Sequence, residues 1–257
     1  MVVNPKTLLF DIETLPNLCF TWGVGKQYVG YENIHKERKI ACICYKWLGE
    51  APIYSLAMDM SLHNLNKRDD DADRKLLADF AIVYRRADLA VGHNSIAFDK
   101  AIIRSRLVKY KMPDITPVIM DDTYIQTKGI GFTSHKLDYI SQYLGLGEKK
   151  PHPYKLWKDV MGGSKQALLD MVDYCKGDVR LEERVYKWLL PYMSSKFNRA
   201  VFAGDPTMCP SCGEKRLRKE GTRSLLGGLK QKWVCMSCGH PWTSPLKPLD
   251  KAKEFLR

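Results

Sequence analysis

Two carboxylates stand two residues apart in the apolar run Thr7-Leu8-Leu9-Phe10-Asp11-Ile12-Glu13-Thr14. Side chains alternate along a strand, so Asp11 and Glu13 share one face while Leu8, Phe10 and Ile12 share the other. Adjacent like charges repel and are costly to bury unpaired, which points to divalent cations as their partners. The competing reading is an amphipathic edge strand with a solvated acidic face. Near the other end, Cys209-Pro-Ser-Cys212 and Cys235-Met-Ser-Cys238 are 22 residues apart, each pair followed by glycine, Gly213 and Gly239. Two such knuckles brought together give tetrahedral thiolate coordination, so the spacing predicts a zinc ribbon with one structural Zn²⁺. Gly227-Gly228 supplies the turn of its hairpin, between Lys215–Lys219 and Leu229–Val234. His240 stays outside the shell, which four thiolates complete.

Two further segments carry chemistry. Residues 92–107 read Gly-His-Asn-Ser-Ile-Ala-Phe-Asp-Lys-Ala-Ile-Ile-Arg-Ser-Arg-Leu, and residues 174–179 read Tyr-Cys-Lys-Gly-Asp-Val. Together with the Asp11–Glu13 strand, in this order, they resemble the motifs of the DnaQ-like (DEDD) 3′–5′ exonucleases. Asn94, Phe98-Asp99, Tyr174-Cys175 and Asp178 are similar to those of family B DNA polymerase proofreading domains. Residues 11–24, 46–50 and 132–147 resemble a phage-encoded subgroup. The resemblance spans about residues 7–190. It implies a ribonuclease H-like α/β fold, a mixed sheet flanked by helices, and release of nucleoside 5′-monophosphates from DNA 3′ ends. It also implies two Mg²⁺ or Mn²⁺ ions: Asp11 bridging both, Glu13 and Asp178 on the ion beside the nucleophile, Asp99 on the second. Four oxygen donors suit such hard cations. The histidine subtype needs His five residues before the final aspartate, where this chain has Asp173; the tyrosine subtype needs Tyr four before it, which is Tyr174. The chain therefore resembles the DEDDy type. An ordinary phenol pKa near 10 makes Tyr174 an orienter of water rather than a strong base. Thr14 and Leu15, just past the acidic strand, are placed to meet the terminal nucleotide. Asn94 either braces the site or touches the substrate backbone.

The elements that must position these residues follow from periodicity. Strands are expected at Leu18–Val24, Ile40–Leu48, Pro52–Leu56, Asp88–Gly92 and Pro117–Met120, and helices at Ala72–Ala87, after Asp99 and over Phe132–Gly147. Phe98, Ile102, Ile103 and Leu107 form an apolar stripe that Pro113 closes. A long helix starts at the N-cap Ser164 with Leu168, Val172, Cys175 and Val179 inward, and Tyr174 and Asp178, four apart, share a face. Asp69–Asp71 read as a solvated helix start. Asp121 and Asp122 read as loop acids facing water, His93 as a structural histidine, and Cys19, Cys42, Cys44 and Cys175 as buried thiols in a reducing compartment.

The 257 residues, 45% hydrophobic with net charge +12, allow a medium domain and a small module. The boundaries expected are 1–200 for the exonuclease domain and 205–257 for the zinc ribbon. From Asp205 onward eleven Lys or Arg face five Asp or Glu, half the net charge. Lys215, Arg216, Arg218, Lys219, Arg223, Lys230 and Lys232, with Trp233 and Trp242, suit phosphates and bases. The expected partner is DNA, at single-stranded or frayed 3′ ends, with RNA as a second substrate and a DNA polymerase or replisome protein as a docking partner. No run of 18 apolar residues and no signal-peptide pattern is present, which predicts no membrane partner and a cytoplasmic location, the host cytoplasm for a phage protein. Two rivals remain: an exoribonuclease or structure-specific endonuclease of the same fold, and a non-catalytic nucleic-acid-binding or polymerase-docking protein.

Overall fold

The structure, a computed structural model, describes residues 5–225 and 228–245. In chain order its elements are β1 (Thr7–Leu15), β2 (Leu18–Cys19), β3 (Ile34–Lys36), β4 (Lys39–Trp47), β5 (Tyr54–Ala57), α1 (Arg74–Tyr84), β6 (Leu89–Gly92), α2 (Asp99–Lys109) and β7 (Ile119–Asp122). There follow α3 (Thr123–Thr127), α4 (Leu137–Tyr143), α5 (Lys155–Met161), α6 (Lys165–Leu189), α7 (Arg199–Phe202), β8 (Leu217–Leu225), β9 (Gly228–Cys235) and β10 (Pro241–Pro245). Residues Lys6–Tyr186 form one compact unit, and the chain from Lys187 onward belongs to another.

The first unit is built on a five-stranded sheet of order β5-β4-β1-β6-β7. β1 pairs antiparallel with β4 and parallel with β6, so the sheet is mixed and the acidic strand lies at its centre. The edge-strand alternative for β1 is thereby overturned. Apolar runs explain the arrangement: Leu8–Phe10, Ile40–Cys44 and Leu89–Val91 are all fully buried, as strands covered on both faces must be. One side is closed by α1, whose Phe80 and Tyr84 lie 5.3 and 5.9 Å from the Phe10 ring. Asp11 and Glu13 project to the opposite side, as alternation requires. The register of β1 on β4 shifts between Glu13 and Thr14, leaving Ala41 as the extra residue of a bulge beside the acids.

Several expectations are corrected. The strand expected over Leu18–Val24 ends at Cys19. The Phe132–Gly147 helix shortens to α4, and α5 is an additional helix. Phe98 precedes α2 and is 38% exposed rather than part of its stripe. Asp70 is buried, not solvated: Lys36 Nζ bonds it at 2.8 Å, and Lys39, fully buried, bonds its other oxygen. Asp69 is half-buried, and with Asp73 it grips Arg106 of α2, each at 2.8 Å. The acidic start of α1 is thus a set of clamps onto β3, β4 and α2. Asp121 and Asp122 are the buried end of β7 rather than acids of a wet loop, at 1% and 2% exposure.

Candidate active site

Three elements converge on the acidic face of β1. Asp11 and Glu13 come from β1, Asp178 from α6, and their carboxylates lie within 4.8 Å of one another. Asp99, first residue of α2, accepts a hydrogen bond from Ile12 N–H at 3.0 Å, which fixes it against β1 between the two strand acids in sequence. Ser164 caps α6 as its hydroxyl type suggests, accepting from Ala167 N–H at 3.2 Å. That helix brings Tyr174 and Asp178 in together, one turn apart.

The electrostatics are those of a site that wants cations. Burial raises Asp11 well above the ordinary carboxylate range, and Asp99, Glu13 and Asp178 raise it further. Glu13 and Asp99 are raised chiefly by burial too, Asp99 against the bond from Ile12. Burial likewise raises Asp178, moderated by Lys149. The donors are all oxygen and their mutual repulsion lacks a full counter-charge, so the residues present fit hard divalent ions.

Three participants were not legible from local patterns. Lys149 Nζ lies 2.7 Å from Asp178 Oδ2 and 5.5 Å from the centre of the Tyr174 ring. Glu182, one turn after Asp178, is 2% exposed with Oε1 unpartnered. Burial and the charges of Asp99, Asp122 and Asp178 raise it strongly. Asp122 accepts from Asn94 N–H at 2.8 Å, Ile96 N–H at 3.0 Å and Tyr124 N–H at 3.0 Å, so it holds the turn ahead of Asp99 while capping α3. Asn94 sits there at φ 64°, a left-handed conformation that asparagine tolerates better than most residues. It lines a hollow of about 340 Å³ with His93, Tyr124, Lys136, Leu137, Asp138 and Lys149. A second hollow, of about 370 Å³, is lined by Tyr174 with Lys150, His152 and Lys155. Burial lowers His93 to about 4, leaving it neutral, and its Nδ1 pairs with Thr123 Oγ1 at 2.9 Å. Thr14 is half-buried, whereas Leu15 is 1% exposed and offers no surface to a ligand. Cys42, Cys44 and Cys175 are buried and cluster within 4.8 Å, with Cys175 Sγ 3.5 Å from Asp11 Oδ2.

In the second unit the four cysteines Cys209, Cys212, Cys235 and Cys238 form one cluster. Cys209 and Cys238 sulfurs are 3.8 Å apart, Cys212 and Cys235 sulfurs 3.6 Å. Thiolates on a tetrahedron with a Zn–S bond of about 2.3 Å stand about 3.8 Å apart, so the cluster fits zinc. Each knuckle closes alike: Gly213 N–H donates to Cys209 C=O and Gly239 N–H to Cys235 C=O, both at 2.9 Å. Their φ values of 81° and 79° explain why both positions are glycine. His240 is directed elsewhere, its Nδ1 2.8 Å from Pro191 O. The β10-β9-β8 sheet has two different faces. Lys219, Trp233 and Trp242 are cross-strand neighbours, the two indoles near-parallel at 6.3 Å and Lys219 Nζ 5.6 Å from the Trp233 ring. Arg223 and Lys230 are opposite each other on the other face, which Lys232 shares by alternation. Of the expected turn, Gly228 begins β9, while Gly227 lies outside the described residues.

Residues 53–190 match the RNase_H superfamily, more than half of the chain. The chain belongs to the RNase H superfamily, whose members are in general nucleases, and the mixed sheet flanked by helices agrees with it. Its structure is similar to that of the family B DNA polymerase from the hyperthermophilic archaeon Pyrobaculum calidifontis, with a TM-score of 0.53 at 17% identity. That superposition covers 74% of this chain and 25% of the polymerase, so the chain spans about a quarter of the polymerase's length and the likeness is one of fold. No match was found among curated proteins. Among the described residues no helix is long and apolar enough to cross a membrane.

Proposed function

We propose that the chain is a metal-dependent 3′–5′ exonuclease of the tyrosine subtype, acting on DNA. The observation that carries this is the convergence of Asp11, Glu13 and Asp178, with Asp99 locked to the backbone between the strand acids and Tyr174 one turn before Asp178 on α6. Asp11, Glu13, Asp99 and Asp178 would hold two Mg²⁺ or Mn²⁺ ions. Ions bound there stabilise both the attacking and the leaving oxygen of an in-line displacement at phosphorus. Tyr174 keeps its proton, burial having raised it to about 12, and orients the attacking water by hydrogen bonding. Lys149 balances Asp178 and draws the scissile phosphate toward the acids. The hollow beside Asn94, Tyr124 and Lys136 receives the terminal nucleotide, and a nucleoside 5′-monophosphate leaves.

The domain from Lys187 is read as a Cys₄ zinc module that binds nucleic acid through the basic face of β8 and β9. Like charges placed opposite each other, as at Arg223 and Lys230, destabilise a sheet unless an anion offsets them. Similarity of fold to a polymerase supports a proofreading role, in which a polymerase or replisome protein is the docking partner.

A time course with 5′-labelled single-stranded DNA and RNA of equal sequence, in Mg²⁺ or EDTA, tests this. The expected result is a Mg²⁺-dependent descending ladder, faster on DNA. Cleavage of a circular substrate makes the protein an endonuclease, a faster ladder on RNA an exoribonuclease, and an intact label in a retained complex a binding protein.

A further inference from the structure

Among the described residues the four most exposed large apolar side chains belong to one loop. Between β2 and the turn at Tyr31, Phe20 is 68% exposed, Tyr28 97%, Tyr31 79%, and Trp22 and Val24 are as exposed as in an extended chain, at 108% and 103%. A folded chain that leaves a Trp and a Tyr wholly in water within seven residues needs a reason, since contiguous exposed apolar surface marks an interaction site. The loop is not a frayed end. Its base is tied by the β2–β3 pairing, by Phe20 N–H donating to Asn33 O at 3.1 Å, by the Phe20–His35 ring contact at 5.0 Å, and by Arg38 N–H donating to Asn17 Oδ1 at 2.6 Å. Its tip folds back on itself, with Thr21 Oγ1 and Gln27 Nε2 both donating to Gly23 O.

Position and charge name the occupant. The loop follows β1 after only the short β2, so six residues, at most about 25 Å of chain, separate Glu13 from Phe20. From Thr14 to Tyr31 the sequence holds no acidic residue, and Lys26 is its one charged side chain. A strand of phosphates led toward a cluster of acids needs such an acid-free approach, and unpaired bases need flat apolar rings to replace their lost stacking. We infer that the Phe20–Tyr31 loop is a base-stacking platform for single-stranded nucleic acid, with Trp22 and Tyr28 as its rings, holding the strand whose 3′ end enters the acidic site. The choice of partner rests on the nuclease reading above.

The test compares the full chain with the Trp22→Ala, Tyr28→Ala double variant and with Trp22→Phe. Affinity for a single-stranded oligonucleotide of about 12 nucleotides is read by fluorescence anisotropy in Ca²⁺, a length within the sites that stacking grooves cover. The double variant is expected to bind at least about thirtyfold more weakly, as loss of two stacked bases predicts. Trp22→Phe keeps the affinity but loses the part of the tryptophan quenching that the strand causes. Duplex binding changes little in either. Hydrolysis of the p-nitrophenyl ester of thymidine 5′-monophosphate, too small to reach the loop, is unchanged in both variants. Equal oligonucleotide affinity in the wild type and the double variant overturns the inference, and self-association lost in that variant would then assign the surface to a second copy of the chain. If the wild type cleaves neither ester nor oligonucleotide, the nuclease reading falls, while the anisotropy comparison still decides the loop.

Discussion

Lys149 Nζ and Asp178 Oδ2 meet at 2.7 Å, joining the chain ahead of α5 to the acidic face of α6. The protein thus brings one cation of its own into a cluster of carboxylates. Burial disfavours the charged amine, but Asp178, Tyr174 and Asp11 outweigh that and hold the ammonium above its ordinary pKa. Replacing Lys149 by Met should lower kcat/KM on single-stranded DNA about 10- to 150-fold, the worth of a charge-assisted hydrogen bond. Lys149→Arg should recover part of it. Steady-state kinetics on the same oligonucleotide decide the matter, and an unchanged Lys149→Met enzyme removes this residue from the mechanism.

Asp11 is surrounded by Glu13, Asp99 and Asp178, which repel it in the metal-free protein. Asp11→Asn should therefore abolish hydrolysis while leaving oligonucleotide binding in place. In EDTA the same variant should melt higher than the wild type, by roughly 2–4 °C for each kcal/mol of repulsion relieved. Calorimetry with and without Mg²⁺ tests both halves. An active variant would refute the site assignment.

Cys235 closes the second knuckle, and a structural zinc contributes about 10 kcal/mol or more to folding of the unit it holds. Cys235→Ser should lose its zinc by metal analysis, and the chain beyond Lys187 should become sensitive to limited proteolysis. The thymidine ester should still be cleaved. Collapse of that activity would place the ribbon inside the catalytic domain.

Asp70 links stability to pH. Burial pushes its carboxyl up, but the bonds from Lys36 and Lys39 outweigh this and hold it well below the ordinary value of 3.8. A depressed folded pKa adds stability above the unfolded value and loses it as pH falls through the folded one, so this contribution fades below about pH 4. Asp70→Asn should cost about 3–5 kcal/mol at neutral pH, because two buried ammonium groups lose their partner. It should also flatten the acid limb of the stability curve. Urea unfolding at pH 7 and pH 3 measures both, and equal losses at the two values contradict the linkage.

What the sequence made legible was local. Alternation placed Asp11 and Glu13 on one face of β1, and a spacing of four placed Tyr174 beside Asp178 on α6. Twin Cys-x-x-Cys-Gly knuckles implied the cysteine cluster. What it hid depends on partners far along the chain. The acids Asp69 and Asp70 look solvated until Lys36, Lys39 and Arg106 come to them across the sheet. Asp122 looks like a loop acid until the turn at Asn94 presents its N–H groups. Lys149 lies in a glycine- and lysine-rich connection with no periodicity to mark it. The aromatic loop reads as a strand because Phe20, Trp22 and Val24 alternate correctly, yet all three are exposed.

The burial of Lys36 and Lys39 has a use at the bench. Amine-reactive reagents modify lysines that water reaches, and these two, at 1% and 0% exposure, are sealed beneath Asp70 while the chain is folded. Mass-spectrometric labelling of the native protein should spare both peptides, so their first modification under heat or acid dates the opening of the sheet from inside the molecule.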